Sequence, residues 1–291
     1  MAIQNTRLGA WLMLMTTVIF ATQDGFSRYL AQFYSPLQIV TIRYWVFGLF
    51  VVLLALRNKG GLALVLGTRH RGLHILRGLF LAGQICCVLY SFAVIGLVHT
   101  HAILAVYPLM VAALSVPILG ERVGWRRWLA ILMGLCGVLV ILQPGVGAFE
   151  PQALVMLLAA VMFALYGILT RYVGRDDGAG VSLFWAGIVG AVAMTPLGLS
   201  VWQPMAGEHM ISMFVICCTS ILSHFLLIKA YEVAEASAIQ PLSYLQLVHV
   251  SLIGILIFDE SIALNVIIGA SIVVASGIFT ILRTAKVAKT A

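Results

Sequence analysis

Charge is what this chain has least of. Lys, Arg, Asp and Glu together make up 9% of its 291 residues, against 62% that are hydrophobic. A soluble domain carries about 25% charged residues, so a large water-facing surface is excluded. Acids are scarcer still, ten in all. Only Asp24 lies well inside an apolar stretch, which excludes an intramembrane aspartyl protease built on two membrane acids. There is no HExxH, no GxSxG and no Walker-type phosphate loop, so zinc proteases, nucleophile-elbow hydrolases and self-contained ATP-driven pumps go too. Ser220 and His224 stand four apart on one helix face but have no orienting acid. The five cysteines show no metal-ligand spacing, and the vicinal pairs Cys86-Cys87 and Cys217-Cys218 read as packed thiols in apolar runs. No metal or other cofactor is expected, and no cleavable signal peptide, since the first apolar run lacks a small-residue cleavage site.

What the chain has in abundance is continuous apolar sequence. Runs such as "LQIVTIRYWVFGLFVVLLAL" have the length of a spanning helix, about 20 residues, and lack the alternation of barrel strands. Charged, Gly and Pro punctuation places ten helices near 8–30, 36–56, 72–94, 100–118, 125–142, 151–173, 180–200, 208–230, 237–257 and 262–283. The fold class is therefore all-α, a polytopic membrane protein with short loops and no soluble domain left over.

Cytoplasmic loops are enriched in Lys and Arg. With the N-terminus inside, that side collects Arg7, the group from Arg57 to Arg77, Arg122, Arg126, Arg127, Arg171, Arg175, Lys229 and the terminal Arg283, Lys286 and Lys289. Of the 17 basic residues only Arg28 and Arg43 fall elsewhere. Both termini are thus expected in the cytoplasm. Membrane insertion accounts for the net charge of +7, and no nucleic-acid partner is implied.

The sequence also repeats. "GERVGWRRWLAILMGLCGVLVIL" and "DESIALNVIIGASIVVASGIFTIL" each set a Glu, Glu121 or Glu260, before a helix with a later Gly, Gly137 or Gly277. Phe20 precedes Arg28 by the same interval as Phe163 precedes Arg171. The halves are 1–145 and 146–291, five helices each, and an odd number forces the second half to enter from the opposite side. Inverted repeats recur in secondary transporters, which bind substrate near the midplane between the halves. A duplication that merely builds a stable bundle, or a channel, stays open at this point.

These passages, with "FATQDGFSR" in the first helix, "SPLQIVTIRYWVFGLF" in the second and "AAVMFALYGILTRYV" in the sixth, resemble the drug/metabolite transporter superfamily, in particular its ten-helix branch with two EamA-type repeats. The resemblance covers essentially the whole chain. It implies a basket of ten helices around a central cavity, and export or exchange of small metabolites. Among the ten-helix members, the expectation leans towards exporters of aromatic and other neutral amino acids, with nucleobases, polyamines or drugs as alternatives. The chain departs from the family's pattern at Phe20-Ala21, where Trp-Gly is common, and at Asp259, which replaces a Gly. The membrane Glu that the four-helix multidrug branch carries in its first helix is absent.

An ionisable group inside a span costs a few kcal/mol or more, so it is paired or faces water. Asp24 and Arg43 match in depth, and Arg28 is one helical turn from Asp24. The expectation is that Asp24 is neutralised by Arg43 or Arg28 near the outer mouth of the cavity. The trio serves there as an ion pair and gate, as a binder of a zwitterion, or as a staple between the first two helices. Gln84, Tyr90, His101, Tyr107, Tyr166, His224, Gln246 and His249 are the further cavity candidates, as aromatic walls with a few hydrogen-bonding groups. Trp45 and Trp185 could add apolar wall. Pro108, Pro117 and Pro241 interrupt corresponding helices and are candidate hinges, because proline frees a backbone carbonyl. The expected partners are the lipid bilayer and a small-molecule substrate. A monomer in a bacterial inner membrane fits the short loops best.

Overall fold

The computed structural model describes residues 5–58, 60–121, 124–142 and 151–290. Ten long helices form among them. They are α1 (Thr6–Leu30), α2 (Pro36–Arg57), α3 (Arg71–Ile95), α4 (Leu97–Leu119), α5 (Trp125–Leu142), α6 (Pro151–Val173), α7 (Ala179–Leu199), α8 (Met210–Val233), α9 (Ala236–Phe258) and α10 (Leu264–Thr290). The expected boundaries hold to within a few residues at most ends. α10 runs further than 283, and a six-residue helix, Gly61–Leu66, stands in the second loop where none was expected. Seven helices, α2 to α4 and α6 to α9, are long and apolar enough on their own to cross a membrane. The outward faces carry large apolar side chains such as Leu256, 77% exposed. Water would penalise such a surface, whereas lipid would not. The chain is a polytopic, all-helical membrane protein.

Local chemistry sets the ends. Asn5 accepts a hydrogen bond from the Leu8 N–H at 3.0 Å and caps α1. Pro36 opens α2, where its missing N–H costs nothing. Two spans are irregular. α4 consists of Leu97–Leu104, a break, Tyr107–Leu114 and a π-turn at Ser115–Leu119. α9 begins with Ala236–Ile239, passes through a 3₁₀ segment at Gln240–Tyr244 and resumes at Leu245–Phe258. Pro108 sits at the start of the second piece of α4, Pro117 inside the π-turn and Pro241 inside the 3₁₀ segment. All three candidate hinges thus fall where the helical ladder is already interrupted.

Packing follows a pattern. α1 lies along α8 as α3 lies along α6, α1 touches α9 as α6 touches α4, and α3 meets α7 as α2 meets α8. α2 pairs with α7, and α5 with α10. Shifting every label by five places maps this set of contacts onto itself. Glycine lets α2 and α7 approach closely, because a Cβ at Gly190 would run into the ring of Tyr44. Trp45 and Trp185 pack outside the centre. Trp45 donates to Thr195 Oγ1 at 2.8 Å and stacks on Trp202, while Trp185 donates to the Val65 carbonyl at 2.9 Å.

Candidate functional site

Helices α1, α2, α3, α4, α6, α8 and α9 line a narrow cavity of about 40 Å³. Six sequence-predicted residues line it: Asp24, Arg43, Gln84, His101, His224 and Gln246. A smaller side chamber shares His101 and Gln246 with it and contains Tyr107 and Pro108. Tyr166 lies just behind the wall, fully buried. Its ring faces the Arg77 guanidinium at 5.4 Å and meets the His224 ring edge-on at 6.1 Å. Two candidates lie elsewhere. Tyr90 is 47% exposed on the outward face of α3. His249 is half-buried and outside the lining, although Gln246 one turn earlier reaches the cavity. The face that the two were expected to share is therefore split between cavity and packing.

The expected pairing of charges is met only as an electrostatic coupling across the cavity: among the described residues no direct ion pair joins Asp24 to Arg43 or Arg28. Asp24 Oδ2 accepts from Gln246 Nε2 at 2.9 Å and lies 3.0 Å from His101 Nε2, off hydrogen-bond alignment. Arg43 turns the other way. Its Nε donates to Ser220 Oγ at 2.5 Å, and Nη2 is 2.9 Å from His224 Nε2. Arg28 Nε lies 3.6 Å from Glu260 Oε1. The reason is packing direction. α2 is held by α7 and α8, so Arg43 looks towards α8, whereas α1 presents Asp24 to α9 and the first piece of α4. Matched depth placed Asp24 and Arg43 in one cavity without making them partners.

Sequence reasoning missed several residues here. Gln23 lines the cavity with its Oε1 buried and without a protein partner among the described residues. The signal was available, since positions 20, 23 and 24 share a helix face. Phe20 and Phe163 stood out only as markers of the repeat, yet both line the cavity, and Phe20 meets the His224 ring edge-on at 5.2 Å. Ser220 and His224, too poor a dyad for catalysis, together hold Arg43.

The two repeat glutamates perform matching tasks. Glu260 accepts from the Leu97 and Val98 N–H groups at 2.7 and 2.8 Å, capping the start of α4. Glu121 accepts from Ala236 and Ser237 at 3.0 and 3.1 Å, capping the start of α9. A helix N-terminus has four unpaired N–H groups and a partial positive charge, so a carboxylate there is doubly favoured. The residue before each glutamate is left-handed: Gly120 at φ +69° and Asp259 at φ +50°. This aims each glutamate's own N–H back at the preceding helix, at Ser115 and Gly254 carbonyls respectively. Asp is among the few residues that tolerate this conformation, which explains how Asp259 stands in for a glycine. Gly120 has open space where a Cβ would go. Gly120→Ala is therefore expected to lose about 1 kcal/mol through backbone strain alone, seen as a lower melting temperature in detergent with the cavity intact.

Comparison with known proteins fits this architecture. Residues 7–143 and 151–282 each match the EamA-like transporter family. The chain is 27% identical to the S-adenosylmethionine uptake transporter of Rickettsia prowazekii, over 94% of this chain and 92% of that one. It is 27% identical to the riboflavin transporter of Vibrio cholerae, over 93% and 92%. A crystal structure of a protein 15% identical superposes with a TM-score of 0.75 over 94% of this chain and 97% of its own, a likeness of fold. Neither named relative is an amino-acid exporter. A helical bundle around a cavity with several polar groups and a match over both halves lead to one conclusion: the chain is a multi-pass membrane transporter, not an enzyme, and belongs to the EamA-like transporter family.

Proposed function

We propose that the protein is a secondary transporter for a zwitterionic metabolite bearing an amino group and a carboxylate. The observation that carries this reading is the separation of Asp24 from Arg43. Both line one cavity, yet each is held by uncharged hydrogen-bonding groups or an imidazole. Opposite charges that face one space, coupled across it but not in direct contact, suit a ligand that carries both signs. Buried charges in a membrane mark such pathways. Phe20 and Phe163 add aromatic wall for a ring. An S-adenosylmethionine-like molecule, with an amino-acid end and a planar ring, meets all of these features. Free aromatic amino acids are the next candidates.

Alternating access between repeats 1–145 and 146–291 is the mechanism we assign. It is supported by the contact pattern that maps onto itself and by two helices broken near the cavity, as in other inverted-repeat carriers. The bias of Lys and Arg supports a bacterial inner-membrane placement with both termini cytoplasmic, so that the Leu30 end of α1 faces outward. With the single deep acid engaged by Gln246 and His101, exchange without obligatory proton coupling follows, in a monomer.

Counterflow in proteoliposomes tests the reading. Vesicles loaded with unlabelled S-adenosylmethionine or phenylalanine are expected to accumulate the labelled compound transiently, at symmetric pH, with saturation. Counterflow confined to riboflavin-loaded vesicles would overturn the zwitterion assignment. Flux that never saturates would replace the carrier with a channel.

A further inference from the structure

Glu121 and Glu260 are more than caps. Each belongs to one half of the chain and binds the first turn of a broken helix in the other: Glu121 holds α9, and Glu260 holds α4. They lie at opposite ends of the bundle. Arg28, near the end of α1, stands 3.6 Å from Glu260. At the other end Arg171, in the last turn of α6, donates to the Tyr231 and Glu232 carbonyls at 2.7 and 3.1 Å and is electrostatically coupled to Glu121. The same arrangement is thus built twice, once at each end of the cavity.

One of the segments held in this way touches Asp24 itself, and the other leads to the residue that does. Leu97–Leu104 carries the Glu260-bound N–H groups at one end and His101 three residues after Val98, about 4.5 Å along the axis. It then ends at the break before Tyr107. Ala236–Ile239 carries the Glu121-bound N–H groups and leads through the 3₁₀ segment to Gln246. Both pieces are short and bounded by irregular backbone, so each can tilt as a unit. Room at the first of these joints is tight. Gly96 sits at φ +82°, and a Cβ there would lie 2.8 Å from Glu260 Oε1.

From this geometry we infer that Glu260 and Glu121 are the latches of the outer and inner gates, and that Asp24 senses substrate for both through His101 and Gln246. A substrate amino group that takes over Asp24 Oδ2 displaces Gln246 Nε2 and changes the contact with His101, loosening the pieces that the glutamates hold. Charge-assisted hydrogen bonds from two N–H groups per carboxylate give each latch its strength. Both latches are made in this structure, and transport alternates which one opens. The inference rests on the alternating-access reading above. Its test needs no substrate, so its failure is distinct from a failure of counterflow.

The experiment labels a single cysteine, Val88→Cys, in full-length protein whose five native cysteines are replaced by alanine. Val88 is apolar and lines the cavity. A membrane-impermeant maleimide is added to right-side-out or inverted vesicles. Glu260→Gln, which leaves one acceptor oxygen in place of two, is expected to raise labelling from outside at least threefold and to lower it from inside. Glu121→Gln is expected to do the reverse. Should either variant fail to fold, gentler ones decide. Arg28→Gln weakens the outer latch alone. Ser237→Pro deletes one inner donor at a helix start where proline is tolerated. Opposite sidedness for the two ends establishes the latches. Labelling that moves in the same direction for both ends, or that stays unchanged in folded protein, makes the glutamates structural caps and overturns the proposal.

Discussion

Arg43→Met is expected to remove counterflow of zwitterionic substrates while leaving thermal stability close to that of the native chain. Arg43 is 2% exposed, and its hydrogen-bond partners Ser220 and His224 carry no carboxylate. Desolvating a guanidinium costs several kcal/mol, and exchanging a buried ion for an apolar residue of similar length is often neutral or stabilising. Against that gain stand two polar groups left without a donor, at about 1–3 kcal/mol each. The two effects oppose each other, so the net change is small. Function has no such compensation. Losing a buried charged contact to the substrate carboxylate is worth roughly 2–5 kcal/mol, which at about 1.4 kcal/mol per decade is a loss of 30-fold or more. Arg43→Lys keeps the charge but loses the planar fork that reaches Ser220 and His224 together, and should fall between the two. Counterflow rates and melting curves in one detergent check both statements. A variant that loses stability in proportion to transport would make Arg43 a part of the fold, and the carboxylate assignment would fall.

Much of this architecture was legible because a membrane simplifies the reading. Backbone groups in hydrocarbon must be satisfied within the helix, so unbroken apolar runs such as 36–56 and 180–200 named their own elements. α1 falls outside the seven spans that apolarity alone identifies, since Gln23, Asp24 and Arg28 dilute its last turns. Those polar residues were also what drew attention to the site. Residues that face the cavity from mid-span, such as Gln84 and His101, were legible for the same reason. A polar side chain in an oily run needs a partner or water, and a cavity supplies one.

Partnership was not legible. Depth along the membrane follows from counting residues, but azimuth does not. Which face of α2 meets α8 depends on the whole bundle, in which α2 packs on α7 and α8. The same gap misplaced Tyr90, whose position on α3 points outward although Gln84 on that helix points in. Glu121 and Glu260 were visible as repeated letters, but their task was hidden. The N–H groups they bind lie 115 and 163 residues away in sequence, and no local pattern encodes a contact at that range.

The double exchange Asp24→Arg with Arg43→Asp separates the two accounts of these charges. Were they a staple between α1 and α2, the reversed pair would re-form, and the double variant would recover most of what each single variant loses. The observed partners lead to the opposite expectation. An arginine at position 24 would face Gln246 Nε2, already a donor, and the His101 imidazole, which lies within ion-pair distance of the native acid. An aspartate at position 43 is too short to span the contacts that the longer arginine makes with Ser220 and His224 across to α8. Asp24 and Arg43 share no hydrogen-bond partner and feel each other only electrostatically across the cavity. The double variant should therefore recover less than about 1 kcal/mol of the summed single losses, and counterflow should stay lost. Inverting the substrate end for end would not restore it, since each charge would sit among groups suited to the opposite sign. Recovery of more than about 1 kcal/mol in the double-variant cycle would mean that the charges act on each other directly. The cavity would then hold a closed ion pair rather than two separate receptors, and the case for a zwitterionic substrate would lose its basis.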